Sequence, residues 1–317
     1  IVDEEDPKND SYDSNSDLDL RLFTTKVKVG SKLLSINPRL LNVLMMLVLQ
    51  EDEDSNSDNS VNSSFTKRLS KLLKEKGDDG ELILKDQLVD ASGKAVETVG
   101  NTLGIAKDLI SDKTKKVRMH FAKDGKKRTI ISIKIPLSDN HMEKRRERYK
   151  ELIEIEARRF NIPTEIALAI AETESAFNPK AKSHVPAYGL MQLVPKTGAR
   201  DAYQWIYKKD KFISGRYLYK PRNNVELGCA YLSMIRHHYF SAIRDDELAY
   251  ICAIPAYNTG VGNVSKALIN KTNIREASKK ANKMNKDELY DKLYSDLSSK
   301  EAKNYLKKVW TRKENYK

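Results

Sequence analysis

The chain has only two cysteines and five histidines among its 317 residues. Cys229 and Cys252 are too few for a disulfide framework, and neither stands at metal-ligand spacing from another soft donor. Each lies in an apolar helical stretch, where cysteine behaves as a small hydrophobe, so two buried thiols are the expected state. A bridge would need an oxidising compartment and a fold that brings the two sulfurs together. His120 and His141 stand alone. His237 and His238 are neighbours, but adjacent side chains on a helix diverge by about 100° and no third ligand is near in sequence. Neither a metal nor any other cofactor is expected. Long apolar runs are also missing: the richest, Leu40 to Leu49, falls well short of the roughly 20 residues that span a bilayer. The chain opens Ile1-Val2-Asp3, without Met, so a signal peptide or lipidated amino-terminal cysteine would belong to a longer precursor.

What the chain does have is charge. Its formal net charge is +12 and its mean hydropathy is −0.63, which marks a soluble globular protein of two domains rather than one. The charge is unevenly spread. Residues 1–60 carry six Lys or Arg against thirteen Asp or Glu, about −7, which leaves about +19 on the remainder. The lysines are dispersed and no nucleic-acid-binding motif appears, so nucleic acid is not the expected partner. Long-range attraction to another anionic polymer accounts for the balance more simply.

Three regions follow in order. Residues 1–19 are rich in Asp, Asn and Ser and read as a disordered acidic arm, suited to a tether. Residues 20–139 read as a small α+β domain. A hairpin is expected over 20–35, a helix over 36–50, a solvated loop over 51–64 and an amphipathic helix from Phe65 to Glu75. A strand pair from Leu82 to Val96 turns at Asp90-Ala91-Ser92-Gly93, a helix runs from Val99 to Lys113, and a long hairpin covers Lys115 to Leu137. No catalytic constellation appears there. From residue 140 to 317 the pattern is helical almost throughout, with helices expected at Ala199–Trp205, Val225–His238 and Asp245–Ile254 and a loop at Asp210–Tyr219.

One stretch in that second domain combines a helix start, an apolar stripe and a carboxylate. Pro163, Thr164 and Glu165 are start signals, Ile166, Ile170, Thr173 and Phe177 recur at helical spacing, and Asn178-Pro179 ends the helix. Glu174 flanks the stripe in the last turn. A carboxyl against apolar walls loses hydration and its pKa rises, so it can hold a proton near neutral pH and deliver it to a leaving oxygen. Glu172 lies some 200° away around the helix and cannot share that site. A single acid is offered where ordinary glycoside hydrolysis uses two. Gly189-Leu190-Met191-Gln192 follows, with a glycine and an amide suited to close contact with a polar ligand such as a glycan.

These residues resemble the lysozyme-like catalytic domain of the lytic murein transglycosylases. The family's Glu-Ser pair stands here as Glu174-Ser175, its Gly-Leu-Met-Gln block as residues 189–192, and its Ala-Tyr-Asn block as Ala256-Tyr257-Asn258. The likeness continues through Leu289-Tyr290 and Ser298 to Val309. It implies a mainly α-helical lysozyme-like fold that cleaves the β-1,4 bond between N-acetylmuramic acid and N-acetylglucosamine, with peptidoglycan strands, rich in carboxylates, as the partner. It also implies a periplasmic enzyme with a possible outer-membrane lipid anchor. Glu174 is the implied acid and base; Ser183, Gly189, Met191, Gln192, Tyr257, Asn258 and Tyr305 are the implied substrate contacts. The amino-terminal region is similar to the first domain of a lipoprotein of the family, chiefly around Val89 to Gly93 and the final strand. The chain departs from the family at Pro186, Val194 and Pro255, changes that bear on loop rigidity and sugar-subsite shape. A muramidase that hydrolyses the same bond, aided by a hidden carboxylate such as Asp201 or Asp210, and a binding protein without chemistry are the rival readings.

Overall fold

The computed structural model describes residues 137–317 continuously and, before them, residues 26–29, 32–35, 49–52, 73–74, 76–77, 80–89, 116–121 and 127–132. The chain divides into two compact units, residues 1–76 with 80–138 and residues 77–79 with 139–317.

In the first unit, β1 (Lys26–Val29) and β2 (Lys32–Ser35) form an antiparallel hairpin, with Val29 opposite Lys32. β3 (Leu49–Asp52), β4 (Lys116–Phe121) and β5 (Lys127–Ser132) form an antiparallel sheet in the order β3-β5-β4. The β4–β5 hairpin is the one its alternation foretells. β3 corrects two expectations, because it takes up the end of the helix read over 36–50 and the start of the loop read over 51–64. Its cause is non-local: Leu49 to Asp52 pair with Ile131 to Arg128 on β5, a partner that no local pattern reveals.

The strand expected from Leu82 is also corrected. Ile83–Gln87 form turns, with Lys85 N donating to Leu82 O and Gln87 N to Leu84 O, both at 3.1 Å. Leu82, Ile83 and Leu84 are all buried. Three consecutive inward side chains suit a turn, whereas a strand would send the middle one to the opposite face. The acidic arm, the helix read over 99–113, the Asp90–Gly93 turn and most of the Phe65–Glu75 segment lie outside the described residues.

The second unit is helical. α1 (His141–Arg159) packs on α2 (Thr164–Ser175) and on α5 (Pro221–Met234). α3 (Gly198–Tyr207) lies along α5, and α4 (Gly215–Leu218) is a single turn inside the segment read as a loop. Ser214 makes that turn by accepting from Tyr217 N, a short-range cap that overrides the loop-like composition. α5 continues as a π-helical segment, Ile235–Tyr239. α6 (Asp246–Thr259) runs through Pro255. α7 (Val261–Ile269), α8 (Ile274–Ala281), α9 (Lys286–Asp296) and α10 (Lys300–Arg312) follow, and a 3-10 turn, Lys313–Tyr316, closes the chain.

Local chemistry sets most of these boundaries. Asp245, Asn273, Asn285 and Ser299 each accept a backbone N–H at a helix start, and Asn285 with Glu288 completes a capping box; each cap contributes roughly 1 kcal/mol. α2 and α6 are the central elements. Ile166 to Ala171 are buried without a break, as are Leu248 to Tyr257, so both helices are apolar all round and surrounded by the others. Cys229 and Cys252 lie in this core as free thiols. Among the described residues no helix is long and apolar enough to cross a membrane.

Candidate active site

Glu174 is the penultimate residue of α2, and the chain leaves the helix abruptly after it. Ala176 and Phe177 both adopt left-handed backbone, φ 53° and 57°. Two such residues in succession, neither of them glycine, cost on the order of 1–3 kcal/mol each and persist only where the surroundings hold them. Phe177 thus lies beyond the helix to which its spacing assigned it, although its ring is buried as the stripe required.

The holding groups can be named. Ser175 Oγ donates to Leu190 O at 2.7 Å and accepts from Asn178 N at 3.1 Å. The helix end is therefore tied directly to the Gly189–Gln192 loop. That loop is fastened from its other side by Asn224, fully buried in α5. Asn224 Oδ1 accepts from Met191 N at 2.7 Å, and Nδ2 donates to Tyr188 O at 2.7 Å and Leu218 O at 2.9 Å. Gly189 has φ +78°, and a Cβ there would lie 2.4 Å from both Asn224 Nδ2 and Leu218 O. Only glycine fits.

The loop's own residues serve it more than they face outward. Gln192 has φ 48°, and its Nε2 donates to Ala181 O at 3.0 Å and Gly189 O at 2.9 Å. Both amide protons are occupied, so a direct contact with a ligand falls to its Oε1. Ser183 is likewise engaged within its loop, donating to Val185 O and accepting from Ala187 N at 3.1 Å. Met191 is buried against α5; a Cβ on Gly228 would come 2.3 Å from its sulfur.

Two tyrosines complete the surroundings of Glu174. Tyr257, on α6, donates its hydroxyl proton to Met191 O at 3.0 Å, and its ring meets Tyr231 edge-on at 5.3 Å. Asn258 follows it, half-buried. Tyr305 projects from α10. Its hydroxyl is buried without a partner at full hydrogen-bond geometry, and the acceptor it approaches is the Glu174 carboxyl.

The electrostatics of this cluster centre on one proton. Burial pushes the Glu174 carboxyl up to about 8; the Tyr305 hydroxyl pulls it down and the negative Glu301, also on α10, raises it further. Part of the residue remains open to solvent, as a group that meets a ligand requires. Burial and the Glu174 charge hold both Tyr257 and Tyr305 well above the usual phenol range, so they stay neutral donors and acceptors. Glu174 is thus a carboxylic acid that keeps its proton through neutrality.

The structure therefore brings Glu174, Met191, Tyr257 and Tyr305 together, with Gly189 and Gln192 as the frame of one wall. It also uses groups that the sequence reading passed over. Asn224 is one, and nothing in its sequence setting, between Asn223 and Val225, sets it apart. Glu301 is another: it is the carboxylate that acts on Glu174, whereas Asp210 is paired with Arg200 on the surface and Asp201 acts on Tyr231. His237 Nε2 lies 2.8 Å from Asn161 O, and the His238 ring lies tilted against Trp205.

Residues 151–282 match the family model described as transglycosylase SLT domain. The chain is 34% identical over 226 residues to membrane-bound lytic murein transglycosylase C of Haemophilus influenzae (strain PittEE), covering 71% of this chain and 61% of that protein. It is 35% identical over 230 residues to the protein of that name from Glaesserella parasuis serovar 5 (strain SH0165), covering 71% and 60%. The chain spans about three fifths of the length of these curated relatives. Among solved structures, it is 26% identical to the 70-kDa soluble lytic transglycosylase of Escherichia coli, with a TM-score of 0.41, covering 56% of this chain and 25% of that one.

Proposed function

We propose, on the match of residues 151–282 to the transglycosylase SLT domain model, that the chain is a peptidoglycan lytic transglycosylase with Glu174 as its acid and base. The observation that carries this reading is a single carboxyl at the end of a buried helix, approached by the Tyr305 hydroxyl, with burial raising its pKa. Glu174 donates its proton to the oxygen of the β-1,4 bond on the muramyl side, and that bond breaks to free the 4-hydroxyl of N-acetylglucosamine. Positive charge builds at the muramyl anomeric carbon. The sugar's own N-acetyl oxygen stabilises it, as in substrate-assisted glycosidases. Tyr257 gives its proton to Met191 O, so its lone pairs are what it offers to an N-acetyl N–H. Ser183, Gln192 Oε1 and Asn258 are the further contacts.

The ionised Glu174 then takes the proton of the muramyl C6 hydroxyl, whose oxygen closes a 1,6-anhydro ring. An intramolecular hydroxyl has an effective concentration on the order of 10⁵ M or more when well oriented, which favours ring closure over attack by water. Glu301, which acts on Glu174 through space, is the observation that keeps hydrolysis in view, since a second carboxylate is what a water-activating enzyme needs. Mass spectrometry of digested sacculi separates the two. Products short of one water and lacking a reducing end are expected, and mainly reducing muramic ends would replace this reading with a muramidase. Glu174→Gln should bind sacculi and release no soluble fragments; release at the wild-type rate would leave only a binding role.

The same reading assigns residues 140–317 to catalysis and 20–139 to an accessory role in positioning the polymer. It places the enzyme in the periplasm, tethered to the outer membrane by a lipid that the precursor would carry. Sequencing that precursor tests the tether: the absence of a lipid-attachment cysteine removes it.

A further inference from the structure

The carboxylate two residues before the catalytic acid has its own partners, all from the end of the chain. Arg312 Nε lies 3.2 Å from Glu172 Oε1, the Tyr316 hydroxyl donates to Glu172 Oε2 at 2.7 Å, and Arg312 Nη1 donates to Thr173 Oγ1 at 2.9 Å. The Tyr316 ring also meets Phe177 edge-on at 6.5 Å. The last residues therefore grip α2 on both sides of Glu174 in sequence, at Glu172–Thr173 and at the left-handed Phe177. The ion pair is largely shielded, with about a fifth of the Glu172 and a quarter of the Arg312 side chain exposed, so salt screens it less than a surface pair.

Helix geometry links this grip to the active site. Arg312 follows Tyr305 by seven residues, which returns to nearly the same face of α10 after two turns. The face that brings Tyr305 to Glu174 is the face that brings Arg312 to Glu172. We infer that Arg312 and Tyr316 are positioning residues, a latch that fixes the register of α10 on the last turn of α2 and so sets the Tyr305 hydroxyl against the Glu174 carboxyl. The inference rests on the lytic transglycosylase reading above. The groups facing Glu174 are Tyr305 and Glu301 from α10 and Tyr257 from α6. A loosened α10 admits water to Glu174, and burial is the largest influence holding its pKa up, so the pKa falls; losing the smaller Tyr305 influence opposes this only in part.

The test uses the full chain, with Arg312→Met, Tyr316→Phe and the pair combined, assayed for anhydromuropeptide release across pH. Tyr316→Phe keeps the ring on Phe177 and removes only the hydroxyl, so it preserves the packing that a larger change would disturb. Displacements of the order of 1 Å can cost up to about 100-fold in rate. A kcat lowered about 10-fold or more in Arg312→Met, an unchanged KM, and a basic limb of the pH profile moved downward are expected, with Tyr316→Phe smaller in the same direction. A purely structural role would lower the melting temperature and leave the pH profile in place, and that result overturns the latch. So does a raised KM at unchanged kcat, which would make Arg312 a substrate contact. A wild-type chain that releases only reducing fragments, or none, overturns the transglycosylase reading and the latch with it, whereas active variants with wild-type profiles overturn the latch alone.

Discussion

Met191 N donates to Asn224 Oδ1 at 2.7 Å, and through that bond a buried amide of α5 holds the loop whose Met191 carbonyl receives the Tyr257 proton. Asn224 satisfies three backbone groups at once. Asn224→Leu takes this partner from Met191 N and Leu218 O, while Tyr188 O keeps Leu193 N at 3.1 Å; each group left unpaired costs about 1–3 kcal/mol before relaxation. A melting temperature lower by roughly 5–15 °C is expected, together with loss of muropeptide release. Calorimetry checks it, and an unchanged transition would show that the loop holds itself.

Gly189 and Gly260 offer a matched comparison. Both have positive φ, +78° and +85°, but a Cβ at Gly189 would strike Asn224 and Leu218 O whereas nothing lies within 4 Å of one at Gly260. Alanine is strained at either position, and Gly260, at φ 85° and ψ 152°, lies where essentially only glycine goes, at a cost of about 1–3 kcal/mol; only Gly189→Ala adds the collision with a backbone carbonyl that cannot swing away. Gly189→Ala should therefore abolish activity and destabilise by at least about 3 kcal/mol. Gly260→Ala should stay folded and active. Urea titrations of the two variants decide it, and equal midpoints would mean that the loop yields to the added methyl.

The raised Glu174 pKa has a cost in stability with a definite sign. Its folded value, about 8, lies above the ordinary 4.5, so the folded protein holds a proton that the unfolded chain has released. The associated stability is full below pH 4.5 and is lost as pH rises toward 8. Glu174→Gln does not titrate. Its melting temperature minus that of the wild type should therefore grow from pH 4.5 to 8 and level off above. A difference that stays flat over that interval would show a carboxyl that is already ionised at neutrality.

How much of this could be read from the residues alone depends on range. α2, its start at Pro163-Thr164 and the position of Glu174 in its last turn follow from local spacing and start signals, and the structure has them there. Tyr257 and Tyr305 are candidate contacts through resemblance, since nothing local says that residues 48 positions apart on two helices come near one carboxyl. β3 was misread for the same reason: its strand character comes from β5 far along the chain. The turns at Ile83–Gln87 were missed differently, because consecutive buried apolar residues imitate a strand when only hydrophobicity is counted. Asn224 and Arg312 are ordinary helix residues by composition. Their significance lies in which backbone group or carboxylate ends up opposite them, and packing alone decides that.

The two α10 groups that act on Glu174 pull in opposite directions, which yields a paired test of the acid's identity. The Tyr305 hydroxyl lowers the Glu174 pKa and Glu301 raises it. Tyr305→Phe removes the first influence, so Glu174 keeps its proton to higher pH and the basic limb of kcat/KM moves upward. Glu301→Gln removes the second and moves it downward. The Tyr305 hydroxyl is buried without a full hydrogen bond, so its loss should leave the melting temperature unchanged or slightly raised. The rate at the optimum should fall by about 2- to 10-fold in Tyr305→Phe, the worth of one modest hydrogen bond. Initial rates of release between pH 5 and 10 read both limbs side by side. Shifts of the same sign in the two variants, or none in either, would mean that the titrating group in the rate profile is not Glu174.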